Sequence, residues 1–339
     1  MRRVREVSGG RAKVGGIAGA SSGNIKNCTV NKGITITATG AADNNNNRGI
    51  AGICGDLLAG NVTNSNNYAS VINNSGGSGT GGIVGIARCV ENKTESKIES
   101  CGNMGIITSS TDRVGGIVGT VEGNSKYSTQ MRTYISKCKN TGNVTGTYCI
   151  GGIVGKLGQN AVITDESKKT KISECYNTGT ITGTGHISTE YSSIGGIVGT
   201  TNQYNFIEYS YNKGSVKGTY SSGSDCVGGI TGYLKTGSTI KGCYNTGSVS
   251  VTKNIYYVGG IVGKNSTSSS DAKGSMTNIS GTYCHANAYA YLVGGSTASN
   301  SYNNTGYQFT TALSPMKLTG NYTYWKATST YPTLINNPE

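Results

Sequence analysis

The sequence predicts an all-β chain wound as a parallel β-solenoid of about eight coils and closed by a C-terminal cap. Three observations predict it. A glycine-rich box with β-branched flanks recurs along the chain. A second box carrying Cys, Asn and Gly follows each copy of the first. The composition suits a long narrow core better than a wide one. The 339 residues hold 54 Gly, 22 Tyr, two Phe and one Trp, and the hydrophobic fraction is 35%. So few bulky apolar residues do not fill one globular core, but they can stack a few per turn along a rod.

The first box reads Val/Ile-Gly-Gly-Ile-Val-Gly. It begins at Val14, Ile50, Thr80, Val114, Ile150, Ile194, Val227 and Val258, with a degenerate trace at Val293-Gly294-Gly295. Fixed-period self-similarity of this kind is the mark of a repeat architecture. Each copy is too short for a helix of ordinary length, and its paired glycines and β-branched residues favour strand. Ile and Val are adjacent in the box, so a regular strand would face them to opposite sides. Either a bulge turns both inward or loops cover one of the two columns.

The second box reads Ile-x-x-Cys-Tyr-Asn-Thr-Gly-x-Val, clearest at Ile172–Ile181 and Ile240–Val249. Asn-Thr-Gly supplies a turn, because Asn and Gly tolerate positive φ. Each repeat thus reads as strand, loop, strand, turn, short strand, loop. Stacked in parallel about 4.8 Å apart, like residues sit above like. Ile17, Ile53, Ile83, Ile117, Ile153, Ile197, Ile230 and Ile261 then form one apolar column. Asn67, Asn103, Asn140, Asn177, Asn212 and Asn245 form an amide ladder whose donors and acceptors satisfy one another. Length varies only between boxes: five residues separate Gly19 from Ile25 and sixteen separate Gly155 from Ile172. Such variation at fixed places means loops projecting from a constant frame.

The paired boxes resemble the GLUG-motif repeats of bacterial surface and secreted proteins, over roughly residues 14–290. The tail is similar to the segment that often closes such arrays: Thr310 to Lys317, then Trp325, then Tyr331-Pro332-Thr333-Leu334. The organisation is therefore a lead-in at 1–13, the repeat at 14–290 and a cap at 291–339. The cap holds the only Trp and all three prolines. The resemblance implies an extracellular or cell-surface location and an adhesive or spacer role. Some members of that group flank the motif with metallopeptidase domains. No His-Glu-x-x-His occurs here, so their zinc ligands and general base have nothing to map onto.

The net charge of +13 favours anionic partners, yet most of the basic residues are scattered, and the densest cluster is Arg2, Arg3 and Arg5. No stretch is apolar enough to span a membrane as a helix. The start carries positive charge with no apolar region after it, so the chain is either cytosolic or a segment of a larger exported protein with flanking domains, and the immediate onset of the repeat near Val14 favours the segment.

No catalytic, cofactor or metal site is predicted. Cys28, Cys101, Cys138, Cys175, Cys243 and Cys284 are assigned to one column, in which Ser65 and Ser210 also stand. They lack Cys-x-x-Cys pairs and companion histidines, and in-register neighbours poorly suit disulfide geometry. They read as buried thiols filling small sites, although such thiols are less usual in exported proteins. Cys54, Cys89, Cys149 and Cys226 fall outside the column and are expected to be more reactive. His186 in a loop and His285 in the cap are the only imidazoles. Acids such as Asp43, Asp165 and Glu166, or Asp112 and Asp225, are spread over different loops and coils rather than paired. Gly77 to Gly82 matches a phosphate-loop pattern, but it overlaps a repeat box and opens no helix. Nucleic-acid modules are missing, and Tyr176, Tyr211 and Tyr244 are repeat-column residues.

The function expected is that of a non-catalytic surface segment, an adhesin or stalk. Its presenting loops are the arcs Val121–Tyr134, Leu157–Lys171 and Lys264–Asn278. The alternatives are a module for anionic glycans or cell-wall polymers, and a β-helical carbohydrate-active enzyme.

Overall fold

The computed structural model describes residues 6–9, 13–39, 49–76, 79–88, 95–122, 132–158, 169–185, 192–219, 225–252, 257–266, 276 and 278–339. They form a stack of short parallel strands rather than a few long ones. Five strand positions recur in each coil. In the coil at the middle of the chain they are Ile150–Gly151, Val154–Leu157, Lys171–Ser173, Tyr176–Asn177 and Ile181–Gly183. Like positions pair between coils into five sheets, four of eight strands and one of nine. Among the described residues, the coils from Val14 to Val251 carry all five strands, and the coil that starts at Val258 lacks the fifth. With neighbouring strands 4.7–4.9 Å apart, the stack is a rod roughly 35–40 Å long.

The first box is two strands and a bend. Val114–Gly115 and Val118–Glu122 flank Gly116 and Ile117. The carbonyl of Ile153 accepts from both Ile117 N (3.0 Å) and Val118 N (2.9 Å), and the same double acceptance recurs at Ile53, Ile117, Ile197, Ile230, Ile261 and Leu292. One carbonyl facing two N–H groups is a bulge, and it turns adjacent Ile and Val to the same side. Both columns are therefore in the core, with Ile117 and Val118 fully buried. The exception is Ile17, which is 48% exposed in the first coil, where no rung lies below it.

The two boxes meet across the interior. Asn67, Asn103, Asn140, Asn177, Asn212 and Asn245 have no exposed surface. Each of the first five donates from Nδ2 to Oδ1 of the next, at 2.7–2.8 Å. Each Nδ2 of the six also donates to the carbonyl two residues on, at 2.8–3.0 Å. Opposite every amide stands the second glycine of a first box: a Cβ on Gly116 would enter Asn140 and the Gly152 carbonyl, and the same holds for Gly52, Gly82, Gly152, Gly196 and Gly229. Glycine is thus required by close approach, not by its own dihedral angles. The ladder ends on apolar residues, since Val30 pairs with Asn67 and Cys284 with Asn245.

That register corrects one assignment. Cys284 stands in the Asn column, and Thr282 takes the Cys place, its Oγ1 accepting from Cys243 N at 3.2 Å. The last copy is therefore shifted by two residues, with Thr282 level with Cys243 and Cys284 level with Asn245.

The corner between the third and fourth strands is left-handed. Asn27, Asn64, Ser100, Lys137, Glu174 and Tyr209 have φ between 45° and 58°, and Gly242 (62°) and Gly281 (49°) continue the column. A left-handed non-glycine residue costs roughly 1–2 kcal/mol, so this corner is held by its surroundings.

The ladder sets a graded expectation. Asn177→Ala leaves one N–H of Asn140 Nδ2 and the Oδ1 of Asn212 without their ladder partners in a dry interior and should cost about 2–4 kcal/mol. Asn67→Val, at the end already faced by Val30, should cost less than half as much. Urea midpoints of the two variants at equal m-value check the order.

Candidate functional site

The column that holds the cysteines has a backbone task. Sγ of Cys101, Cys138 and Cys175 donates to the carbonyl two residues back, at 3.3, 3.2 and 3.2 Å. The hydroxyls of Ser65, Ser210 and Thr282 make the same bond at 2.9, 2.7 and 3.1 Å. The side chain also accepts from the backbone N–H of the coil before: Cys28 N to Ser65 Oγ, Cys138 N to Cys175 Sγ and Cys175 N to Ser210 Oγ, at 3.2, 3.4 and 3.1 Å. A thiol or hydroxyl therefore replaces the strand bond that the left-handed corner interrupts. This explains why Ser and Cys interchange there, a polar role that the reading as a small filler misses.

None of the described cysteines forms a disulfide, and all but Cys28 are buried. The expectation of greater reactivity outside the column does not hold for Cys54, Cys149 and Cys226, which are buried. Burial pushes the Cys54 thiol up to about 12 and raises Cys226 well above the usual thiol range. A thiolate is the reactive form, so burial disfavours reaction at both. Cys89 lies outside the described residues, as do His186, Asp43, Asp165, Glu166 and Arg2, Arg3 and Arg5.

His285 is used by the backbone. Its Nδ1 accepts from Asn287 N at 3.1 Å, its Nε2 lies 2.8 Å from the Thr310 carbonyl, and its ring stands edge-on to Phe309 and Tyr331. Both nitrogens hold the cap together. The acids are similarly engaged. Asp56, with no exposed surface, lies 2.6 Å from Lys13 Nζ and takes both its oxygens to Arg88 Nε at 2.7 and 2.8 Å. Arg88 also pairs with Glu122, two coils above Asp56. Burial raises the Glu122 carboxyl, and Arg88 and Arg113 pull it back. Asp112 is 3.0 Å from Arg113 Nε, and Glu208 is 3.1 Å from Lys171 Nζ. Among the described residues, no group of three His, Cys, Asp or Glu side chains comes together to hold a metal ion. No helix among them is long and apolar enough to cross a membrane.

Two features of the surface stand out. The first is the edge between the second and third strands, where the arcs Val121–Tyr134, Leu157–Lys171 and Lys264–Asn278 leave and return. Their feet are described: Val118–Glu122 and Arg132–Ser136, Val154–Leu157 and Lys171–Ser173, and Val262–Asn265 and Ile279–Ser280. The first two pairs belong to neighbouring coils, in register at Val121↔Leu157 and Tyr134↔Lys171. The middle stretches of the arcs lie outside the described residues. Along this edge Lys169 Nζ stands 4.7 Å over the Phe206 ring, Lys171 stands 5.5 Å over it, and Lys235 stands 5.4 Å over Tyr233.

The second is an aromatic strip on the fourth sheet. Tyr176, Tyr211 and Tyr244 stack nearly parallel, with ring centroids 5.1 and 4.9 Å apart. The C-terminal segment covers them. Residues 291–309 close the rod's end, with Val293 bridging Val262 and Gln308–Phe309 pairing below Tyr283–His285. Residues 313–339 then fold back along the side of the rod. Trp325 lies 6.0 and 5.5 Å from Tyr211 and Tyr244, and Tyr324 stacks on Tyr209 at 3.8 Å. Tyr244 OH donates to the Pro332 carbonyl at 2.7 Å and Tyr211 OH to Glu339 at 2.7 Å. Asn337 reaches the carbonyls of Glu174 and Cys138 at 2.9 and 3.2 Å. A cap read as a lid over an open end is thus also a side clasp reaching back several coils. Gly242 and Gly281 fit it, because a Cβ on either would enter Thr319.

The bonding of the Cys column separates two substitutions. Cys175→Ser should keep the corner and change stability by under about 1 kcal/mol, whereas Cys175→Ala loses both bonds and should cost about 2 kcal/mol. Thermal melts of the two variants, compared with the parent, check the difference.

No curated protein and no solved structure matches the chain. One family does, over residues 146–182: the GLUG motif. That stretch is one turn of the rod, running from the end of one fifth strand, Val144–Gly146, to the next, Ile181–Gly183. The coil at residues 146–182 matches the GLUG motif, the repeat family that the paired boxes resemble.

Proposed function

We propose that the chain is a non-catalytic segment of a cell-surface or secreted protein, an adhesin or stalk that displays loops of variable length on a rigid rod. The observation that carries this reading is the contrast between frame and arc. Register holds rung to rung in all five sheets, while the arcs between the second and third strands vary several-fold in length. Long arcs in neighbouring coils rise from one edge and present a joint surface. Core residues hold the frame without them, so the arcs are free to differ.

A second reading is binding of an anionic glycan or wall polymer. The Lys169, Lys171 and Lys235 ammonium groups over aromatic rings support it, because cation and flat apolar face together suit a charged sugar. The net charge of +13 adds long-range attraction.

Replacing residues 159–168 by a short Gly-Ser link should abolish binding to the host or wall ligand that the intact chain retains, with the unfolding midpoint unchanged. Binding that survives replacement of each long arc in turn sinks the loop-display reading. The electrostatic reading predicts affinity for sulfated or uronic-acid glycans that falls steeply between low and physiological salt; salt-insensitive binding on a glycan array overturns it.

A further inference from the structure

The clasp over the tyrosine strip is built as a piece separate from the rod. It shares none of the rod's core: Tyr176, Tyr209, Tyr211, Tyr244, Phe309, Leu313, Leu318, Trp325 and Leu334 form a second apolar cluster, apart from the Ile/Val columns. It adds no strand to any of the five sheets, and its only strand pair, Trp325–Lys326 with Thr333–Leu334, is internal. Apart from aromatic contact through Trp325 and Tyr324, its ties to the rod are side-chain bonds to single carbonyls and carboxylates. The connection to it, Thr310–Ala312, is exposed.

We infer that the strip Tyr176–Tyr211–Tyr244 is a groove for a compact peptide segment, filled here by the chain's own residues 313–339, and that it takes the same segment from a second copy of this chain. The groove reads a peptide rather than a smooth apolar surface. Tyr244 and Tyr176 hydroxyls donate to the carbonyls of Pro332 and Pro338, and Lys213 and Tyr211 hold the Glu339 carboxylate. The rod is shaped for this occupant at Gly242 and Gly281, the only described glycines of the left-handed corner, where Thr319 passes. A depression of about 450 Å³ on the same sheet adjoins the clasp, lined by Glu339, Lys139, Met104, Asn66 and the exposed Tyr68. Gly102 stands in the strip's column there and leaves it open. An incoming segment can begin on these rungs while the clasp is still seated.

The seat of the clasp is imperfect. Trp325 is fully buried, yet its indole N–H has no hydrogen-bond partner among the described residues. Water satisfies that donor on release, which favours opening. An exposed connection, a self-contained module and a complementary groove on every copy are the conditions for segment exchange.

The first test uses the full chain with Thr311 and Ala312 deleted, which shortens the connection by about 7 Å at full extension. Sedimentation and the emission of Trp325, the only Trp, are read together. The variant should be a dimer with the buried-indole emission of the parent. A monomer overturns exchange, whether its indole is buried or wet. The second test titrates a labelled peptide of residues 323–339 into the parent and into Trp325→Ala. The variant, its clasp loosened, should bind at least about tenfold more tightly, and adding Tyr211→Ala should remove the gain, with circular dichroism showing the rod intact. Equal affinity for parent and variant, or affinity untouched by Tyr211→Ala, overturns the groove.

Discussion

The contact between an interior amide and a facing glycine is the constraint on which the rest of the rod depends. Asn140 is bonded above and below to Asn103 and Asn177, and across the core it touches Gly116. A buried amide left unpaired costs about 1–3 kcal/mol, so the ladder is stable only when every rung is in register. Register in turn requires that the opposite wall come close enough to exclude water. That wall is the first box, and only glycine lets it approach. The two boxes are therefore one structural unit, although variable arcs separate them in the chain.

From this contact the other regularities follow. The interior is narrow, and the repeated bulge admits adjacent Ile and Val without widening it. The tight corner into the Asn strand forces a left-handed residue, and the Cys, Ser or Thr after it bonds the groups that the corner disturbs. Where the chain leaves the narrow frame, between the second and third strands, nothing in the core limits its length. Arcs of variable length sit there for that reason, and a second set joins the fifth strand to the next first strand, from three residues after Gly146 to eleven after Ala38.

The outside of the rod is organised differently from the inside. Charges that a regular strand would point to solvent are bound to one another across coils, as in Lys13, Asp56, Arg88 and Glu122. Breaking one partner of such a buried group costs more than the group contributes when intact. The tyrosines of the fourth sheet stack as the strands dictate, and then serve as a platform for a second apolar cluster that belongs to the C-terminal segment. Rod and clasp are thus held by different forces: hydrogen-bonded register in one, aromatic contact in the other.

Local periodicity was enough to determine the class of fold, the stacking of like residues, the amide ladder and the places where loops leave. Each of these depends on residues that repeat at one position, such as Asn140 or Ile153, and a repeat is visible without coordinates. The fate of single-copy residues was decided only by the tertiary structure. Cys284 looks like another Cys-column member by type, but strand pairing sets it beside Asn245. Cys54 and Cys226 stand outside the column and are still buried, Cys54 in the Ile/Val core at the place that Val84 takes in the next coil. The tail of residues 313–339 reads as an end cap, since nothing local in it encodes the turn that sends it back along the rod. That path is set by complementarity with Tyr209, Tyr211, Tyr244 and Gly242, residues about 70 to 130 positions away in sequence, and contact at such separation exists only once the coils have stacked.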